Sequence, residues 1–442
     1  MAEAAYAPLR SMSGAKVLFA TCVSVFSLLG GCVAPPSDGL DPAPTSFGSS
    51  SRPHVVVALF DTGINPYHPV FRSQGMAEPR SFIPGLPEYE TIQLSFELPY
   101  EDAFAKDNLA SLKQDKLYWF KDTRILAYST GEFLGGAQKY SNIDEHGHGT
   151  ALASLVMRAN PEAVILMVEA GRSHLAIQWA VQQTWTDVLS ISIGSFNLPS
   201  EFVGGDAGRV ESLKDAATMG KMVVAAVGNE IIPPHLGTYA GPPWAIGVGG
   251  VVRETQGESL FSGKTPDFVS EFGARLASKE TTEDKWWDGS GTSFSAPLLA
   301  GVVSRAIYEI RAEWGHLGGI TDGALALSGD GRKITNADVR LALNRTATYW
   351  LPSDYSLPPD PAACPTCTVA RTSVPIAPEI PGTPVGPWLQ MGWGFVNEST
   401  GPQLVRVLLG KETLPQKPDG AMLFMHELYE ARKAYWNGPR PL

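Results

Sequence analysis

Residues 55–60 read Val-Val-Val-Ala-Leu-Phe and are closed at once by Asp61-Thr-Gly. A run this short, β-branched and apolar at every position fits a strand buried on both faces, as in a covered parallel sheet. The pattern recurs at Ala163–Val168, Val188–Ile193, Met222–Val227 and Trp244–Val252. Helical patterns stand between these runs, around His174–Thr184 and Gly208–Gly220. Further helices are predicted over Ser293–Arg311, Thr335–Asn344 and Gly420–Tyr435. Strands alternating with helices predict an α/β fold in three layers, a mostly parallel central sheet with helices on both faces. In open sheets of this kind ligands and chemistry gather beyond the carboxyl ends of the strands. Asp61 stands at such an end.

The chain has 442 residues, 44% of them hydrophobic and 18% charged, enough for a large core. A formal net charge of -11 leaves no basic footprint for nucleic acid. Arg10 and Lys16 precede an uncharged run, Val17–Leu29, too short to span a membrane and suited to a secretory signal. It ends in Leu29-Gly-Gly-Cys32, which resembles a bacterial lipoprotein box. Residues 1–31 are therefore expected to be a signal peptide and Cys32 the lipidated residue. Residues 32–53, rich in Pro, Ser and Gly, are expected to be a flexible tether, too short for a folded pro-segment. The expected location is the bacterial cell envelope, with plain secretion as the alternative. Cys22 falls in the signal, which leaves Cys364 and Cys367 as a C-x-x-C pair in a proline-rich stretch. Export makes a local disulfide feasible, and two free thiols are the other reading. A zinc site would need further ligands.

Phe71–Lys116 has mixed charge, several prolines and no sustained period, and reads as an insertion over about 72–116. Leu117–Ser129 looks ordered again. Ser353–Pro387 reads as a long proline-rich excursion, and 401–442 as a helical extension.

Ser293 lies in Gly291-Thr-Ser-Phe-Ser-Ala-Pro297, ahead of an apolar helical run. Proline is tolerated in a helix's first turn, so Pro297 predicts that Ser293 opens a helix. A lone serine there is most often only a cap. Asn142–Ser154 holds two histidines, His146 and His148, where a glycine-rich loop feeds another helix. Asp144 and Glu145 beside them read as a solvated acidic turn, and His68 as structural. Serine needs a base to become a nucleophile, and histidine suits that role near neutral pH. The imidazole in turn needs a carboxylate to fix its tautomer. Asn229, after a strand and a glycine, could donate to a developing oxyanion.

Four stretches now align in order: Val57-Ala-Leu-Phe-Asp-Thr-Gly-Ile-Asn-Pro-Tyr-His-Pro69, His148-Gly-Thr-Ala-Leu-Ala-Ser154, Val223-Val-Ala-Ala-Val-Gly-Asn229 and Gly291-Thr-Ser-Phe-Ser-Ala-Pro-Leu-Leu-Ala-Gly301. Together they resemble the subtilisin-like serine proteases, the subtilase or peptidase S8 family, in the family order Asp, His, Ser. The resemblance covers about 54–400, the expected catalytic domain. It implies a subtilisin-like fold and a serine endopeptidase acting on peptides or proteins through an acyl-enzyme. By position it makes Asp61 the orienting carboxylate, His148 the base, Ser293 the nucleophile and Asn229 the oxyanion donor. His148, followed by Gly-Thr, matches the family histidine, and His146 does not. Ser192-Ile193-Gly194 resembles the segment lining the substrate cleft, and Gly392-Trp-Gly-Phe-Val-Asn397 the closing segment of the domain.

Two departures stand out: Ala151, where many relatives carry a second histidine, and the long interval from Asp61 to His148. No cofactor is required on this reading. Calcium stabilises many relatives, yet no loop here can be named as its site. A monomer is expected. A single Asp-Thr-Gly argues against an aspartic protease, which pairs two carboxylates. Gly291-Thr-Ser-Phe-Ser295 lacks the last glycine of the α/β-hydrolase elbow. The alternatives kept are a transpeptidase or peptide macrocyclase on the same fold, and a non-catalytic envelope-binding protein.

Overall fold

β1 (Val56–Asp61) has no exposed residue, because both of its faces are covered. In this computed structural model the described residues are 52–131, 139–169, 174–193, 205–229, 239–254, 257–260, 266–348 and 391–437. After β1 come β2 (Glu90–Ile92), α1 (Tyr100–Lys106), β3 (Leu117–Phe120), β4 (Ile125–Ser129), α2 (His148–Ala159) and β5 (Val164–Glu169). α3 (His174–Gln182), β6 (Val188–Ile191), α4 (Gly205–Thr218), β7 (Met222–Ala226), β8 (Ile246–Glu254), β9 (Gly257–Leu260) and β10 (Phe268–Glu271) follow. A hairpin of β11 (Gly273–Ala277) and β12 (Trp286–Ser290) feeds the long α5 (Thr292–Trp314). The chain continues through β13 (Ala324–Leu327), β14 (Lys333–Thr335), α6 (Asn336–Thr346), α7 (Gly401–Leu408) and α8 (Asp419–Asn437).

The main sheet runs β10-β8-β7-β6-β1-β5-β4-β3-β2, with β9 beside β8. All its pairs are parallel except β3–β4 and β8–β9. The fold is thus α/β, with a mostly parallel central sheet. Side-chain alternation builds its layers. Val55, Val57 and Leu59 join a cluster with Leu152 and Val156 of α2 and Leu299 and Val303 of α5. Val56, Ala58 and Phe60 join another with Ile177 and Val181 of α3 and Val210 and Leu213 of α4. Two apolar layers leave β1 no polar position, and so its sequence shows none. α2 and α5 approach closely: a Cβ added to Gly301 would lie 2.7 Å from that of Ala159.

At the amino end of the sheet Arg311 and Asp187 form an ion pair with neither side chain exposed. Arg311 donates Nη2 to Asp187 Oδ1 (2.6 Å) and Nη1 to Oδ2 (3.0 Å), and Val56 N–H also donates to Oδ2 (2.8 Å). The rest of the guanidinium donates to the carbonyls of His54, Gly319 and Leu325.

Phe71–Lys116 is more regular than its sequence suggests. It contributes β2 to the sheet and α1, and buries Leu94, Ala103, Leu109 and Leu112 in the cluster that holds α2 and α5. Its apolar residues stand at turn-interrupted spacings, which hides them from a periodicity reading. α7 and α8 both lie in the stretch expected to be a helical extension, 401–442. Pro402 lies in the first turn, where its missing N–H costs no helical bond. Leu404 and Val405 of α7 and Phe424, Met425 and Leu428 of α8 join the same core cluster. The described residues fall in one compact unit, Phe47–Leu442. Among them no helix is long and apolar enough to cross a membrane. The expected signal, Cys22, Cys32 and most of the tether lie outside the described residues, as do the excursion at 353–387, Cys364, Cys367 and Gly194.

Candidate active site

Asp61 is the last residue of β1 and continues the alternation of Val57 and Leu59, on the face covered by α2 and α5. Both helices begin at this carboxyl edge, α2 with His148 as its first residue and α5 with Ser293 as its second. The sheet therefore sets a carboxylate between two helix starts.

His148 Nδ1 is 2.8 Å from Asp61 Oδ1, which also accepts the N–H of Thr62 at 2.8 Å. Asp61 is wholly buried, whereas the His148 side chain is 23% exposed. Burial pulls the imidazole down, but the charge and hydrogen bond of Asp61, helped by Asp144, outweigh it and hold His148 above the ordinary 6.5. α2 can lie this close to the β1 turn only because residue 149 is glycine. A Cβ there would stand 2.2 Å from the Gly63 carbonyl oxygen.

Asp144 is not on a solvated turn. It is 1% exposed and accepts four hydrogen bonds. The expectation fails because a loop of glycine and acids has no apolar signal of burial, while the carboxylate is held by N–H groups of its own loop and of α2 and by the Thr62 hydroxyl of the folded β1 turn. Burial raises its carboxyl above the ordinary value, against the opposing hydrogen bonds from Thr150, Thr62 and Gly147. His146 is exposed, with its ring centroid 6.3 Å from that of His148. His68 is buried, its Nε2 2.8 Å from the Lys285 carbonyl.

α5 opens beside Ser293 as expected, but the place of Pro297 differs. Pro297 is the sixth residue of the helix, beyond its first turn. Having no N–H, it cannot bond the carbonyl of Ser293 four residues back. Ser192 Oγ donates to that carbonyl instead, at 2.8 Å. Ser293 Oγ donates to the Ser192 carbonyl at 3.3 Å, so its hydroxyl is turned toward Ser192 rather than hydrogen-bonded to the His148 ring. The two rings at this edge are close, Phe294 lying 5.7 Å from His148 between centroids. Ser192 is buried and Ile193 half-buried.

Asn229 stands beside the same helix start. Its Oδ1 accepts Thr292 N–H (2.8 Å) and Thr292 Oγ1 (2.9 Å), which fixes the amide and leaves Nδ2 as its donor end. Gly291, at φ 151°, has no side chain to obstruct that end; a Cβ would come 3.2 Å from Nδ2. Thr292, Thr62 and Asp144 thus belong to the site although sequence reasoning did not select them. Their signal is adjacency, each next to or near a selected residue in a glycine-marked turn. Among the described residues no group of three or more His, Cys, Asp or Glu is placed to hold a metal ion.

The profile of the Peptidase S8 subtilase family matches residues 52–354, more than half of the 442-residue chain. The chain belongs to the subtilase family of serine proteases, whose substrates are peptides or proteins. No curated protein sequence matches it. Similar solved structures include prenylagaramide maturation protease PagA, at 15% identity and TM-score 0.45, covering 81% of this chain and 96% of that one. The protease domain of PatA is similar at 15% identity and TM-score 0.45, covering 83% and 99%. A lanthipeptide protease is similar at 15% identity and TM-score 0.46, covering 81% and 89%.

Proposed function

We propose that the chain is an exported serine endopeptidase that works through an acyl-enzyme, with Ser293 as nucleophile, His148 as base and Asp61 as its orienting carboxylate. The observation that carries this reading is the 2.8 Å contact between His148 Nδ1 and Asp61 Oδ1, at an edge where Ser293 lies in the first turn of α5. On this reading, rotation about the Cα–Cβ bond of Ser293 exchanges the Ser192 carbonyl for the imidazole, since catalytic hydrogen bonds are commonly loose before substrate binds. Ser293 Oγ then attacks the scissile carbonyl and His148 takes its proton. Asp61 stabilises the imidazolium. Asn229 Nδ2 and the N–H of Ser293 donate to the oxyanion. His148 returns the proton to the leaving amine, and water repeats the sequence on the acyl-enzyme.

A fluorophosphonate probe tests this directly. The wild type should be labelled on Ser293, and Ser293→Ala and His148→Ala should not react. Equal labelling of Ser293→Ala would overturn the assignment. The lipid anchor at Cys32 is part of the same proposal and rests on Leu29-Gly-Gly-Cys32. Cys32→Ser should move the protein from the detergent to the aqueous phase, and unchanged partitioning would rule the anchor out.

A further inference from the structure

The buried carboxylate of Asp144 joins three pieces of chain at the site. Its Oδ1 accepts Thr62 Oγ1 (2.7 Å), His146 N–H (3.1 Å) and Gly147 N–H (2.6 Å), and its Oδ2 accepts Thr150 N–H (2.8 Å). Thr62 Oγ1 in turn accepts Gly149 N–H at 2.9 Å. The N–H groups of 147, 149 and 150 belong to the entry and first turn of α2, donors that a helix cannot satisfy internally. Thr62 follows Asp61 directly. His148 is thus flanked on both sides by backbone groups tied to Asp144, directly or through Thr62.

We infer that Asp144 is a positioning residue, whose carboxylate clamps the first turn of α2 to the β1 turn and so sets the His148 imidazole on Asp61. The inference rests on the reading of His148 as the base. Thr62 is its bridge: one hydroxyl donates to Asp144 and accepts from Gly149, so the clamp spans from the residue beside Asp61 to the residue beside His148. The clamp is also electrostatic, since Asp61 and Asp144 are the carboxylates whose charges favour the protonated imidazole. The other titratable or charged groups around them are His146 and Glu145 on the same loop, Tyr100 on α1, Glu169 at the end of β5, and Lys279 and Glu280 between β11 and β12.

The test is the rate of fluorophosphonate labelling as a function of pH, read beside thermal unfolding. Asp144→Asn keeps the shape, removes the charge and sets an amide N–H₂ against at least one donor. It should slow labelling roughly ten- to a hundredfold, the scale of a small misplacement of a catalytic group. It should also move the acid midpoint of the rate profile to lower pH. Thr62→Val removes the bridge but keeps the charge, and should slow labelling roughly tenfold with the midpoint unmoved. A wild-type rate, or a lower rate with an unmoved midpoint, in folded Asp144→Asn would overturn the inference. If Asp144→Asn does not fold, Thr62→Val decides: a wild-type rate overturns the inference and a slower one supports it. His148→Ala separates the two layers, because labelling at the wild-type rate there would sink the base assignment itself.

Discussion

β1 meets a buried aspartate at each end, and the two are treated in opposite ways. Asp187, at the amino end, has both oxygens engaged, by both Nη groups of Arg311 and by the N–H of Val56, and its partner is as buried as itself. Asp61, at the carboxyl end, concentrates its hydrogen bonds from Thr62 and His148 on Oδ1, while buried Oδ2 has no partner among the described residues. Its own partner, His148, is partly open to solvent. A saturated pair with a permanently charged arginine can only hold the fold. An under-bonded carboxylate behind a titratable ring can follow a proton as it comes and goes. The difference lies in the completeness of the bonding, since depth of burial is the same.

The comparison can be broken by exchanging what each aspartate is asked to do. Asp61→Asn should lower the fluorophosphonate labelling rate by about 10⁴-fold, the scale found when this carboxylate is neutralised in other serine proteases, with little change in thermal midpoint. Arg311→Met should do the reverse. It strands Asp187 uncompensated and should cost about 3–5 kcal/mol in denaturant unfolding, while the folded fraction still labels. If Arg311→Met instead spared stability and slowed labelling, the division of labour would be wrong. The third expectation concerns pH. Burial, only partly offset by the charge of Asp187, holds His54 down at about 4, from 6.5. Between those values the unfolded chain binds a proton that the folded chain refuses. The stability that neutral His54 confers is therefore present above pH 6.5 and lost as pH falls toward 4, by about 3 kcal/mol in all. His54→Phe should flatten that stretch of the stability profile, and an unchanged slope would count against it.

Much of the fold was legible because its cues are local. The runs before Asp61 and at Met222 are apolar at every residue and the run at Val188 is broken only by serines, while the helix starts are marked by glycine and small residues. What was not legible depends on distance along the chain. Asp144 reads as a solvated acid although three of its donors are within six residues, because its loop has no apolar signal and Thr62, which ties it to the β1 turn, lies 82 positions away. Arg311 reads only as the last residue of a predicted helix, yet it meets Asp187 across 124 positions. Pro297 falls just past the first turn where the motif suggested it lay within it, and the motif does not show which hydroxyl takes over the carbonyl it orphans. No periodicity in a sequence encodes such pairings; they exist only once the sheet has brought the segments together.

That orphaned carbonyl has a mechanical consequence. Ser192 and Ser293 are joined by two hydrogen bonds running in opposite senses, hydroxyl to carbonyl and hydroxyl to carbonyl. The segment leaving β6 and the first turn of α5 are therefore hinged together like two leaves on one pin. On the proposed reading, in which Ser192 and Ile193 line the cleft, a peptide settling there would push on the same pin and tug at the seat of Ser293 before any bond is made or broken.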